Sequence, residues 1–146
     1  MNSILEEGNF DKARKSIREK KGEIIFSTSD DELARKILEK EKISTLLIKQ
    51  KGRKDRQKQR NSGLDSVMAK LAKKENVKIG IYLDEIINSS EKEKTEILSR
   101  IRQNIRLCSK NKVKMQFISE KYDRDKYDLK SLGLALGMPT WMIREL

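Results

Sequence analysis

The sequence predicts an α/β fold: a mainly parallel sheet of βα repeats forming an open or partial (truncated) barrel. Four β-rich runs recur along the chain, each followed by a helical pattern. Strand alternating with helix requires parallel pairing reached through right-handed crossovers. Four strands are too few to close a (βα)8 barrel, which takes roughly 250 residues, against 146 here. No tandem repeat and no Pro/Gly/Ser-rich linker interrupts the pattern, so residues 1–146 read as one domain.

An amphipathic helix over Asp11–Lys20 precedes the repeats. The first β-rich run is Glu23–Ser27, followed by a helix over Asp30–Glu41 with Leu33, Ala34, Ile37 and Leu38 on one face. Ser29 and Glu32 make a capping-box signature at its start. The second run is Ile43–Lys49, then a basic stretch, then a helix over Leu64–Glu75 striped by Leu64, Val67, Met68 and Leu71. Asn61 or Ser62 supplies a capping oxygen and Gly63 frees the turn into that helix. The third run, Val77–Leu83, holds Gly80, whose place inside a strand marks a bend or a close backbone approach. A long helix over Glu91–Lys110 starts at a second capping box, Ser90 with Glu93, and turns Ile97, Leu98, Ile101, Ile105 and Cys108 to one side. The fourth run is Val113–Ser119. A helix over Asp128–Leu136 stops at Gly137, with Gly133 allowing close packing, and Thr140–Leu146 adds a closing turn. The sheet is expected to leave edges that a terminal helix or a partner must cover.

Composition narrows the function. Charged residues make up 39% and hydrophobic ones 36%, enough for a small, patterned core. Thirty-four Lys and Arg against twenty-three Asp and Glu leave a formal charge of +11, which favours a polyanionic partner, most commonly nucleic acid. The sequence contains no histidine and a single cysteine, Cys108. A Ser–His–Asp triad and a Cys–His dyad are therefore impossible within it, and a structural zinc site lacks ligands. We expect no catalytic residue and no metal site in this chain, although carboxylates as a class can hold magnesium. No apolar run approaches the ~20 residues of a membrane span, no signal-peptide layout opens the sequence, and the lone cysteine forms no internal disulfide, so the expected compartment is the cytoplasm.

The charge is concentrated. Lys49, Lys51, Arg53, Lys54, Arg56, Lys58 and Arg60 face the single acid Asp55 within residues 49–60, giving that stretch +6 of the +11. It begins where the second strand ends, the end at which open α/β sheets present ligands. Such cations pair with phosphates and release condensed counterions. Seven aromatic residues occur in all and none lies in the run, so phosphate and shape recognition is expected rather than base stacking. Arg102 and Arg106, four apart on the long helix beside Arg100, form a second candidate contact or simply its wet side. A third cluster, Lys12, Arg14, Lys15, Arg18, Lys20 and Lys21, wraps around its helix and reads equally well as solvated. Asp65 and Asp128 lie near helix starts, where a carboxylate suits the dipole. Trp141 reads as an anchor in the core or against a partner.

Four strings resemble a known family. Residues 61–72 (NSGLDSVMAKLA) are similar to "SGLDHVLAKLA" of ribonuclease P protein component 3, the thirty-kilodalton subunit family of archaea and eukaryotes. Residues 76–81 (NVKIGI) look like its "NVAIGF", residues 102–112 (RQNIRLCSKNK) like "RRNVRLARKYG", and residues 128–138 (DLKSLGLALGM) like "DLISLGVVLGM". Order and spacing agree over residues 23–138. The resemblance implies a TIM-like partial barrel without the metal-binding histidines of related hydrolases. It implies a subunit of the endoribonuclease that removes the 5′ leader of precursor tRNA, with the chemistry carried by RNA and its magnesium rather than by a cofactor on the protein. The implied partners are RNase P RNA, precursor tRNA in the holoenzyme, a Pop5-like protein and other RNase P proteins, with a heterotetramer as the assembly it points to.

The sequence departs from the family at several points. The first strands are expected to be missing or replaced by the helix Asp11–Lys20, and the chain ends soon after Met138. Residues 122–129 lack the proline and second arginine of the usual "DLRSPRDL", Ser66 stands where histidine is frequent, and the loop 49–60 is unusually basic. Two further readings compete: a general RNA-binding scaffold without a role in tRNA processing, and a metal-dependent hydrolase built on Asp65, Asp84, Glu85 and Asp128.

Overall fold

The computed structural model describes residues 3–146. Among the described residues, five strands and seven helices follow in the order β1 Ile4–Glu6, α1 Phe10–Glu19, β2 Ile25–Ser27, α2 Asp31–Lys40, β3 Thr45–Ile48, α3 Ser66–Lys74, β4 Lys78–Tyr82, α4 Leu83–Asn88, α5 Glu91–Lys110, β5 Met115–Ile118, α6 Lys126–Leu136 and α7 Thr140–Arg144. All strands are parallel and lie side by side in chain order. That order never reverses, which distinguishes it from a doubly wound sheet and makes it the arc of a TIM-like barrel. Successive right-handed crossovers in one direction place every helix on the same face. The helices accordingly pack in sequence around the outside: α1 on α2, α2 on α3, α3 on α5, α5 on α6 and α6 on α7.

Strand alternation sorts the side chains between the two faces. Phe26, Leu46, Ile48, Ile79, Ile81, Met115 and Phe117 turn toward the helices and join one continuous core that reaches from Ala13 to Met142. Ile25, Leu47 and Ile118 turn the other way and form a separate small cluster edged by Ile4 and Tyr82. Gly80 sits at the centre of that concave face. A Cβ there would lie 3.1 Å from the side chains of Leu47 and Thr45 and 3.3 Å from Ile118. The neighbouring strands thus lean over the missing side chain, and the inner face buries itself by curving. The bend or close approach expected at Gly80 is present.

Differences from the expected elements have local causes. The sheet has five strands where four were predicted, because β1 is three residues long and offers too little pattern to read. The predicted strands ran a residue or two past the hydrogen-bonded ladders. Ile24, Ile43, Val77 and Val113 are buried outside the strands, so the apolar run reports burial rather than pairing. The third run reached Leu83, yet that residue opens α4, a six-residue helix that starts without a loop after β4. Helix α2 is capped by Asp30 rather than Ser29, with Asp30 accepting from Glu32 N (3.0 Å) and Leu33 N (3.2 Å). Helix α3 is capped by Asp65, which accepts from Met68 N at 2.8 Å, rather than by Asn61 or Ser62. Asp125 caps α6, two residues earlier than expected. The long helix α5 has the predicted bounds and the predicted Ser90 cap.

The end of α6 follows its glycines. Gly137 adopts φ 97° and closes a Schellman motif, with Met138 N donating to Gly133 O (3.0 Å) and Gly137 N to Leu134 O (3.1 Å). A Cβ on Gly133 would stand 2.9 Å from Met138 Sδ, so the tail returns over the helix at backbone distance. Trp141 is half-buried against the core with Lys112 Nζ 5.6 Å from its ring. Among the described residues no helix is long and apolar enough to cross a membrane.

Candidate nucleic-acid interface

The stretch between β3 and α3 leaves the carboxyl end of its strand, as the sequence indicated, and its cations divide into two groups. Lys49 and Arg53 turn inward. The Lys49 ammonium pairs with Glu6 at the end of β1 and lies 4.6 Å from the centre of the Tyr82 ring. The Arg53 guanidinium bonds Lys49 O (2.8 Å) through Nε and grips Asp31 with both terminal nitrogens (2.9 and 3.1 Å), leaving the side chain 11% exposed. Lys51, Lys54, Arg56, Lys58 and Arg60 face solvent. Four of these ride on a small hairpin, closed where Arg56 N donates to Gln59 O (2.8 Å) and Gln59 N to Arg56 O (3.3 Å). Lys51 reaches Glu93 only at 3.9 Å, an exposed pair that holds little.

The loop is anchored from beneath by side chains of α4 and α5. The Glu85 carboxylate accepts from Gln50 N (2.8 Å) and Lys51 N (3.1 Å). Burial pushes that carboxyl above its ordinary value, against the lowering effect of those two amides and of Lys49 and Arg53. Arg100, 3% exposed, donates to Gln50 O (3.3 Å), Arg53 O (2.8 Å) and Asp55 Oδ1 (3.2 Å). Asp55 Oδ1 also accepts from Asn61 N at 2.8 Å. That amide, followed by Arg100, holds the Asp55 carboxyl below its ordinary value. Gln103 donates to Arg60 O and Ser62 Oγ (both 3.1 Å), and Asn104 and Gln50 both donate to Ser62 O (3.1 and 2.8 Å). Gly63 (φ 78°) completes the return. A Cβ there would stand 2.5 Å from the Arg53 guanidinium, so only glycine admits that side chain.

Arg102 and Arg106 are exposed on α5 and flank Gln103, the residue that touches the loop. Arg100, grouped with them in the sequence, lies under the loop instead. A cleft of about 590 Å³ separates the hairpin from α2, α3 and α5, walled by Arg35, Arg56, Lys58 and Arg60 against Glu32 and Asp65. A second cleft of about 620 Å³ opens at the ends of β1 to β3. Of its three cations, Lys49 and Arg53 are committed to Glu6 and Asp31 and Lys51 faces solvent, so more of the exposed positive charge lies on the hairpin side. The α1 cluster is partly neutralised where Arg14 and Arg18 converge on Glu41 (3.5 and 3.1 Å), and Lys20 donates to the neutral Ser3 hydroxyl.

The carboxylates of the hydrolase reading are not drawn together. Asp84 accepts from the amides of Glu120, Lys121 and Tyr122 (3.0–3.3 Å), Glu85 from two others, Asp65 caps α3, and Asp128 lies exposed in the first turn of α6. Among the described residues no group of three Asp, Glu, Cys or His could hold a metal ion. Burial drives the Cys108 thiol up to about 12, which makes it inert.

Sequence reasoning missed Glu85, Arg100, Gln103 and Asn104 as supports of the loop. A signal existed in α5, where Arg100 and Asn104 recur at i, i+4 beside the apolar stripe Ile97, Ile101 and Ile105, one position off its centre.

No protein-family model matches the sequence, and no curated protein does either. Among solved structures the fold is similar to that of a protein chain in the cryo-EM structure of archaeal Ribonuclease P with mature tRNA, with a TM-score of 0.77 at 21% identity. The likeness covers 97% of this chain and 63% of that one, so this chain spans under two thirds of its neighbour's length. The α/β partial barrel predicted from the sequence is therefore an architecture that this neighbour shares.

Proposed function

We propose that this chain is a protein subunit of ribonuclease P, of the component 3 type, which supports the catalytic RNA in removing the 5′ leader from precursor tRNA. The observation that carries the reading is the fold shared with a chain of an archaeal ribonuclease P over 97% of the present chain. Two features support it. The four family-like strings fall on coherent elements: the turn into α3, strand β4, the second half of α5, and α6 with its cap. Five exposed cations, Lys51, Lys54, Arg56, Lys58 and Arg60, are gathered within ten residues of one anchored loop.

In this reading Lys51, Lys54, Arg56, Lys58 and Arg60, with Arg102 and Arg106 beside them, pair with phosphates of RNase P RNA. Lys49 and Arg53, predicted as contacts from sequence, shape the loop that carries them. Phosphate contacts fix register and orientation and carry no sequence information. The chain itself supplies no catalytic group and binds no cofactor. Magnesium sits on the RNA and supplies the chemistry there. A Pop5-like protein is its partner in the holoenzyme, which works in the cytoplasm.

Reconstitution tests this. The cognate RNA and partner proteins are assembled with and without the chain, and 5′-leader cleavage is timed. Cleavage is expected to slow or to need more magnesium when the chain is left out. Identical cleavage in its absence overturns the reading. A general RNA-binding scaffold, which would use the same hairpin, predicts that outcome together with intact RNA binding.

A further inference from the structure

We propose that Arg100 is a positioning residue for RNA binding: it touches no RNA and sets the shape of the basic hairpin that does. The inference rests on the RNA-binding reading above.

A guanidinium buried beside an apolar stripe is a poor way to stabilise a helix, because removing it from water is costly and an aliphatic side chain would pack there without that cost. What Arg100 does instead is join three points of one loop, at Gln50 O, Arg53 O and Asp55 Oδ1. Its planar fork suits acceptors arriving from different directions, which a lysine ammonium on a single stem serves less well. The loop needs such a tie. Lys51, Lys54, Arg56, Lys58 and Arg60 are exposed within ten residues and repel one another. Untied, they would spread apart, and an RNA would have to order them on binding. Asp55, the one acid of the segment, is spent on Arg100 and on Asn61 N rather than on the exposed cations. The tie therefore directs the one acid of the segment toward its own backbone, with Arg60 the exposed cation that still feels its charge.

Salt dependence separates positioning from contact. A residue that pairs with a phosphate, when removed, lowers the slope of log K against log[salt] by about 0.7–0.9. A residue that only orders the hairpin lowers affinity at every salt concentration and leaves the slope alone. The probe is a transcribed stem-loop RNA with a single-stranded 5′ tail, titrated against the full chain at several salt concentrations. Amide exchange of Arg53, Arg56 and Asn61 is read in the RNA-free protein, with Ile79 and Ile101 as fold controls.

Arg100→Met is expected to speed exchange in the loop but not in the controls, and to weaken RNA binding about tenfold at unchanged slope. Asp55→Asn, on the solvent side of the tie, acts in the same direction but less. It keeps the test open if Arg100→Met fails to fold. The double variant should be no worse than Arg100→Met alone, and Arg100→Lys should not restore affinity. A fall in slope with Arg100→Met would make Arg100 a contact and end the proposal. Unchanged loop exchange, or unchanged affinity with a loosened loop, ends it too. If the wild-type chain fails to bind the probe at low salt, the RNA-binding reading falls and takes this inference with it. Binding by the wild type that Arg100→Met and Asp55→Asn leave untouched defeats this inference alone.

Discussion

Two loops leave the same rim of the sheet and are pinned by adjacent residues of one short helix, yet only one displays a dense excess of positive charge. Asp84 holds the segment after β5 through the amides of Glu120, Lys121 and Tyr122, and Glu85 holds the segment after β3 through those of Gln50 and Lys51. Neighbouring positions at the start of α4 thus reach to opposite sides of β4. The β5 segment is finished by its own polar groups: Tyr82 Oη donates to Glu120 (2.6 Å), Ser119 bonds Asp123 (2.5 Å), and acids and bases alternate along it. The β3 segment carries a large excess of positive charge outward and takes a second layer of support, Arg100 and Arg53, from below. The two carboxylates anchor backbone in the same way, and what differs is the surface each anchored loop carries and the arginines added beneath the hairpin.

The most forceful way to break the comparison is to remove the display. Replacing Lys54, Arg56, Lys58 and Arg60 together by Gln should weaken RNA binding by a hundredfold or more at low salt, and lower the salt slope by about 3. The thermal midpoint should hardly move, because these side chains are exposed. Lys121→Gln with Arg124→Gln in the other loop should leave RNA affinity within about twofold. Titration at three or more salt concentrations reads both, and equal losses from the two loops would contradict the division.

The anchors come next. Asp84→Ala and Glu85→Ala each leave backbone amides without their acceptor and should cost about 1–3 kcal/mol of stability in denaturant unfolding. Their effects on RNA should diverge. Glu85→Ala frees the start of the basic loop and weakens binding, whereas Asp84→Ala leaves binding alone once both proteins are compared under folding conditions. Gly63→Ala is the local counterpart. Its φ of 78° disfavours a side chain, and its Cβ would displace the Arg53 guanidinium from Asp31. A loss of about 1–2 kcal/mol is expected, with RNA affinity falling alongside.

How much of this was readable in the sequence follows from what a pattern records. The arc of βα units was legible because runs such as EIIFS and ISTLLIK are apolar and β-branched, and because α5 states its bounds through Ser90 and a regular stripe. Strand β1 was hidden by its brevity. Helix α4 was hidden because Leu83 continues an apolar strand and six residues show too little period. The cationic loop was legible as a density of charge, but composition counts charges without direction. Lys49 and Arg53 turn inward because Glu6 and Asp31 wait for them, 43 and 22 residues away, and a partner at that separation leaves no local trace. The same holds for Arg100, whose acceptors lie 45 to 50 residues earlier.

Acidification should distinguish the two kinds of support by sign, as the smallest of the expected effects. Glu85 is buried and its carboxyl is raised above the ordinary 4.5. Between that value and its folded value the native chain binds more protons than the unfolded one, so this group makes stability rise as pH falls through that window. Asp55 is the reverse. Its carboxyl is lowered from 3.8 by the Asn61 amide and Arg100, so its contribution is complete above 3.8 and is lost as pH falls through the still lower folded value. Stability measured against pH for the wild type and Glu85→Gln should differ most at neutral pH and converge toward acid, since the glutamine carries no charge to desolvate. Asp55→Asn should match the wild-type slope near neutrality and fail to show the wild type's final loss at the acid end. If Glu85→Gln instead parallels the wild type throughout, burial of the Glu85 charge is not a cost the fold carries. The two carboxylates of α4 would then be equivalent anchors, and the difference between the loops would rest on the arginines alone.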